Sequence, residues 1–146
     1  TIGHPSNVAR PYAMTSKVHD TADGGAGGDV VKLIDVPADT MIVSGVLEVL
    51  EARGNGQTTL DVGITGGDVD CFVDGSVCAA GFTPFLEAAV GASGANARVL
   101  TSADTIDALI LDGGSSGESA LRFRIHVVLV DIAKNPVETA TVSTGT

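Results

Sequence analysis

Tryptophan is missing, tyrosine occurs once and phenylalanine four times, so the chain has few rings on which to stack a base or a sugar. Two cysteines, Cys71 and Cys78, are too few for a disulfide scaffold or a four-ligand zinc site. A hairpin would let them pair, but in a reducing cytoplasm two small buried thiols are the simpler reading. Only eight lysines and arginines face eighteen aspartates and glutamates, and the net charge of −10 argues against a nucleic-acid surface. No apolar run reaches the roughly 18 residues that cross a bilayer. The start also lacks a charged segment followed by an apolar one, so neither a membrane nor a secretory path is expected.

Catalytic signatures are lacking as well. The sequence contains no Gly-x-Ser-x-Gly elbow, no phosphate-binding Gly-x-x-x-x-Gly-Lys, no His-Glu-x-x-His and no Cys-x-x-Cys. His4 and His19 fall in a polar leading segment, and His126 lies on the polar side of a strand between arginine and valine, so no base stands beside a nucleophile. The expectation is a protein that is not an enzyme, with no catalytic, cofactor-binding or metal-binding residues. Asp68, Asp70 and Asp74 invite a calcium reading of the loop 65–75. Phe72 stands where a third oxygen ligand belongs and no glutamate closes the loop, so ordinary aspartate turn chemistry is preferred.

What the chain has in quantity is aliphatic residues and glycine: 44% of its 146 residues are apolar and 19 are Gly. That mixture predicts one domain of short strands joined by glycine turns. The strongest strand is 118–132, where Leu121, Phe123, Ile125, Val127 and Leu129 recur at period two and Arg122, Arg124 and His126 alternate with them. From Val127 to Val130 both faces are apolar, so something must cover the second half of this strand. Strands are also expected at 29–36, 41–50, 58–64, 98–101 and 105–111, with 41–50 apolar on both faces, Met41, Val43, Leu47 and Val49 on one and Ile42, Val46 and Leu50 on the other, so that it is central or covered on both sides. Turns at Pro37-Ala38-Asp39 and Arg53-Gly54-Asn55-Gly56 suggest that the first three form an antiparallel meander. Residues 76–100 form a long crossover, in which Thr83-Pro84 and the following apolar residues are consistent with either a short helix over 84–90 or irregular chain.

The charge is unevenly placed. In residues 1–28, Arg10 and Lys17 balance Asp20 and Asp23, and in 133–146 Lys134 balances Glu138, so the whole net charge belongs to 29–132. The chain thus divides into an extended N-terminal arm (1–28), a β-sandwich body (29–132) and a C-terminal tail (133–146). Neutral ends carrying apolar residues suit contact with another surface. The candidate interface residues are Val8, Tyr12, Met14 and Val18 in the arm, Val128 and Val130 on the long strand, and Val137 and Val142 in the tail.

The runs Asp29-Val-Val-Lys-Leu-Ile-Asp-Val-Pro, Leu60-Asp-Val-Gly-Ile-Thr-Gly-Gly-Asp, Phe72-Val-Asp-Gly, Thr101-Ser-Ala-Asp-Thr-Ile and the closing Val128-Leu-Val-Asp-Ile resemble the β-sandwich decoration, or cement, proteins of tailed-bacteriophage capsids. The resemblance covers residues 29–132 and lies in strand-and-turn texture. It implies an all-β, jelly-roll-like antiparallel sandwich, assembly as a homotrimer, and a non-enzymatic role on the outer surface of a virion made in the host cytoplasm. The implied partner is the major capsid protein, with the protein bridging its subunits and stabilising the shell. The alternative is a head-fibre, tail or carbohydrate-binding module for host attachment, which would need exposed aromatic side chains.

Overall fold

A computed structural model describes residues 10–20, 28–52, 58–77, 79–86, 98–111 and 121–132. These residues form ten strands and no helix: β1 (Pro11–Thr15), β2 (His19–Asp20), β3 (Val30–Val36), β4 (Thr40–Glu51), β5 (Thr59–Ile64), β6 (Val73–Val77), β7 (Gly81–Pro84), β8 (Val99–Leu100), β9 (Asp104–Leu111) and β10 (Arg122–Asp131). They build two antiparallel sheets packed face to face, a β-sandwich. Sheet A runs β1-β10-β4-β7, with β2 also on β10 and β8 also on β4; sheet B runs β3-β9-β5-β6. The core between the sheets takes Leu121, Phe123, Ile125, Val127 and Leu129 from β10 and its approach, and Ile106, Ala108 and Ile110 from β9. The period-two pattern of 118–132 therefore marks the inner face of a strand at the centre of sheet A, as its alternation predicts.

Two sequence expectations are corrected. The strands β3, β4 and β5 do not form a meander, because β3 pairs with β9, β4 with β10, and β5 with β9 and β6. The turn after β3 carries the chain from sheet B to sheet A instead of folding it back on its neighbour. Asp39 adopts φ 55° there, a left-handed conformation that aspartate tolerates better than most residues. The N–H of Ile132 donates to its carbonyl at 3.0 Å, tying the end of β10 to this turn. The Asn-Gly turn falls in 53–57, outside the described residues. A helix beginning at residue 84 is not formed, since Pro84 ends β7 and Phe85 and Leu86 are irregular; 87–90 lie outside the described residues.

β4 also departs from its expected faces. Ile42, Leu47 and Val49 are all buried although odd and even positions should oppose each other. The register against β10 slips at two places, leaving Val43 and Leu50 as extra residues, 41% and 39% exposed respectively. Each bulge reverses the alternation, so the apparently two-faced apolar pattern is one buried face interrupted by bulges. Gly45 lies on that face between the bulges. A Cβ there would sit 2.4 Å from ring atoms of Phe85, whose N–H donates to the Gly45 carbonyl at 2.9 Å. Phe85 in turn stacks on Phe72, with ring centroids 5.0 Å apart and planes 13° from parallel. Gly45→Ala should therefore cost about 1–3 kcal/mol through overpacking, and Phe85→Leu in the same chain should recover part of that loss. Urea unfolding of the two single variants and the double variant measures the coupling.

Candidate docking face

The outer face of sheet A is built by cross-strand rows, because directly opposed residues in an antiparallel pair share a face. Pro11, Val130 and Met41 make one row, Ala13, Val128 and Ser44 the next, and Thr15, His126, Val46 and Pro84 a third. Ala13, Ser44, Val46, His126 and Val128 line a shallow hollow of ≈ 330 Å³ on this face. Beyond it the face turns polar. Glu48 accepts a hydrogen bond from Arg124 Nε at 2.5 Å and lies 2.7 Å from His126 Nε2, while His126 Nδ1 is 2.9 Å from the Thr15 hydroxyl. Arg124 first, and His126 second, hold the Glu48 carboxyl below its usual range. Phe82, opposite Glu48 in register, is 68% exposed.

β1 reaches this face without contributing to the core, since all five of its residues are exposed. What secures it is the backbone ladder to β10 and the residue that follows it. Ser16 is buried; its N–H donates to the Ile125 carbonyl at 2.9 Å, and its hydroxyl oxygen accepts from the Ile125 N–H at 3.0 Å. A side chain thus replaces a strand partner where the ladder passes from β1 to β2. His19 packs its ring on Phe123, centroids 5.4 Å apart, and Asp20 lies 3.6 Å from Arg122.

The predicted interface residues divide between two places. Val128 lines the hollow on the outer face, and Val130 beside it is only 9% exposed. Tyr12 and Met14 oppose Leu129 and Val127, so they stand on the inner side of sheet A, at its β1 edge. Both are 38% exposed. Met14 and Val18 line an open groove between the β1–β2 edge and β3. Val8, Val137 and Val142 lie outside the described residues. Sequence reading missed the Glu48, Arg124 and His126 cluster. The signal was the one charge in the apolar run 41–50, but its partners depend on cross-strand register.

Sheet B presents opposite electrostatics. In sheet A and its flanking described residues (10–20, 40–52, 79–86, 98–100 and 121–132), five basic residues meet four acidic ones, a balance of +1. In the sheet B half (28–39, 58–77 and 101–111), Lys32 alone meets nine aspartates, a balance of −8. Several of these carboxylates hold the half's own loops. Asp61 accepts from the Gly75 N–H at 2.6 Å, and Asp104 from the Gly66 N–H at 3.0 Å. Asp107 accepts from the hydroxyls of Thr65 and Thr105, and burial raises its pKa. In the loop 65–75, a hydrogen bond with Asp68 raises the Asp70 pKa above its usual value, and Cys71 is a free buried thiol pushed up to about 11 by burial. Cys78 lies outside the described residues.

Two measurements check this account. Ser16→Ala leaves the Ile125 N–H without its acceptor and should cost about 1–3 kcal/mol, with faster exchange of the Ile125 amide in hydrogen-exchange NMR. Glu48 has a lowered folded pKa, so its contribution is present above the usual carboxylate value and is lost as pH falls through the folded one. Melting temperatures should therefore decline on acidification through the carboxylate range, and Glu48→Gln should flatten part of that decline.

No family model matches the sequence, and no curated protein matches it. Solved structures do resemble it. A chain of the cyanophage Pam1 capsid asymmetric unit aligns with TM-score 0.59 and 12% identity over 89% of this chain and 90% of its own length. A chain of the capsid of Ralstonia phage GP4 gives TM-score 0.59 and 18% identity over 90% and 89%. A chain of the acidic stable capsid of Helicobacter pylori bacteriophage KHP30 gives 0.56 and 14% over 84% and 93%. Identities this low establish likeness of fold, and the chain shares its β-sandwich, nearly end to end, with chains found in three phage capsids.

Proposed function

We propose that the protein is a non-enzymatic virion component that decorates a phage capsid. In this reading the outer face of sheet A and the N-terminal strand lie on major capsid protein subunits, and the acidic sheet B half faces solvent. The observation that carries the reading is the fold shared over most of both chains with components of three capsids. The division of charge supports the orientation. A face near neutrality, with an apolar hollow, can be desolvated against another protein at little cost, whereas nine aspartates resist it. Bridging of neighbouring subunits by a homotrimer completes the reading, since repeated small contacts on a symmetric shell sum through multivalency.

The test is to add the purified chain to capsids assembled from the major capsid protein alone. Saturable binding at a fixed number of copies per capsomer is expected, with a rise in the temperature at which the capsids come apart. Ala13→Asp together with Val128→Asp places charge in the hollow and should weaken binding about tenfold or more, while Asp74→Asn on the acidic half should leave it unchanged. Failure of the unaltered chain to bind would sink the proposal. Exposed Phe82 beside the Glu48 cluster favours a second reading, attachment to a host glycan. That reading requires glycan-array binding that Phe82→Ala abolishes.

A further inference from the structure

Among the described residues the sandwich is closed along one side and open along the other. On the closed side the chain passes from β6 to β7, with the Ser76 and Thr83 hydroxyls 3.1 Å apart and the Leu86 N–H donating to Phe72 at 2.8 Å. On the other side β1–β2 and β3 are both edge strands, and between them runs an open groove of ≈ 520 Å³. Its walls include Met14 and Val18 from one sheet and Val31 and Leu33 from the other, together with Lys17 and Lys32. Two neighbouring strand edges lined with apolar side chains form a template for an added strand.

We infer that the groove is the seat of the chain's own C-terminal segment, 137–144, which docks there as a strand antiparallel to β3. The segment starts from the correct end. β10 finishes where the Ile132 N–H binds Asp39, in the turn that terminates β3, and that turn lies at the end of β3 bordering the groove. Asn135-Pro136 follows, a turn-forming pair able to reverse the chain. A chain that reverses there and returns along the groove runs opposite to β3, the favoured pairing. The next residues, Val137-Glu-Thr-Ala-Thr-Val-Ser-Thr, are rich in strand-forming types. At about 3.3 Å per residue they span ~26 Å, enough to run alongside seven-residue β3. Glu138 is the one acidic residue in the tail, and in the groove lining Lys17 and Lys32 outnumber the single carboxylate, Asp35. Five positions separate Val137 from Val142, so an extended segment turns them to opposite faces, one into the apolar space between the two sheets and the other outward. The N-terminal residues 1–9 start from the same end, since Pro11 pairs with Val130, but they are a poorer occupant because Pro5 interrupts them and lacks an N–H for a strand ladder.

The chain has two methionines, and Met14 lines the groove while Met41 lies on the outer face of sheet A, so methyl-labelled methionine supplies a probe and an internal control. In the full chain, Val137→Asp together with Val142→Asp should shift the Met14 methyl resonance and leave Met41 in place. The β3 amides should exchange about tenfold or more faster. A chain ending at residue 132 should reproduce both changes. Unchanged Met14 and β3 signals in both variants would overturn the inference. Two further results would also overturn it: β3 protection that grows with protein concentration, which points to a second copy's segment, and loss of protection on removing 1–9 but not 133–146. All of these readouts use the isolated protein and stand whether or not it binds a capsid.

Discussion

β10 is hydrogen-bonded along both of its edges while its inner face is sealed in the core, and most of the molecule is held in place through it. On one edge β4 follows it for its whole length, from Arg122 opposite Glu51 to Asp131 opposite Thr40. On the other, β1 and β2 divide the ladder between them, with Ser16 supplying side-chain and backbone bonds at the gap. Residues Phe123, Ile125 and Leu129 are fully buried against sheet B. A strand with no free edge and no wet inner face has only one register in which its side chains and those of its neighbours are all satisfied. β1 can lie exposed at the sheet edge because the backbone ladder to β10 holds it.

The two outer faces follow different logic. Sheet B uses carboxylates as ligands for its own backbone and hydroxyls, at Asp61, Asp104 and Asp107, so the loop 65–72 lies folded back over β5. Gly63 makes this possible, since a Cβ there would fall 2.2 Å from the Asp68 carbonyl oxygen. Sheet A keeps its outer face nearly neutral. Its main charged group, Glu48, is paired with Arg124 and hydrogen-bonded with His126 on the adjacent strand. Such a face gives up its water at lower cost than the acidic one, and a decorating role needs that property on one side alone.

Strands with uninterrupted alternation were legible in the sequence. Residues 29–36, 58–64, 105–111 and the long closing strand match β3, β5, β9 and β10 closely, because period two needs no knowledge of the partner. The arm was less legible. Pro11 to Asp20 reads as polar extended chain, and its conversion to β1 and β2 rests on backbone bonds to a distant strand, with the Ser16 hydroxyl and the His19 ring meeting Ile125 and Phe123 only once that strand is alongside. β4 misled through its bulges at Val43 and Leu50, which mix the faces of an otherwise regular strand. The short-helix option at 84–90 arose from proline and apolar residues whose local preference yields to the pairing of Thr83 and Pro84 with β4. The candidate face was half legible: Val128 was visible as an apolar residue on the polar side of its strand, whereas the hollow around it requires three strands brought side by side.

Composition and periodicity by themselves determined that this is an acidic, all-β chain with a long closing strand and neutral ends, because these properties belong to single residues and their spacing. Only the tertiary structure decided which strands pair, that consecutive strands cross between sheets, and that the charge is gathered on one of them. Pairing depends on distant segments meeting in register, and a carboxylate's surroundings are set by whichever strand arrives beside it. Glu48 and Arg124 are 76 positions apart in the chain and become neighbours only when β4 and β10 align.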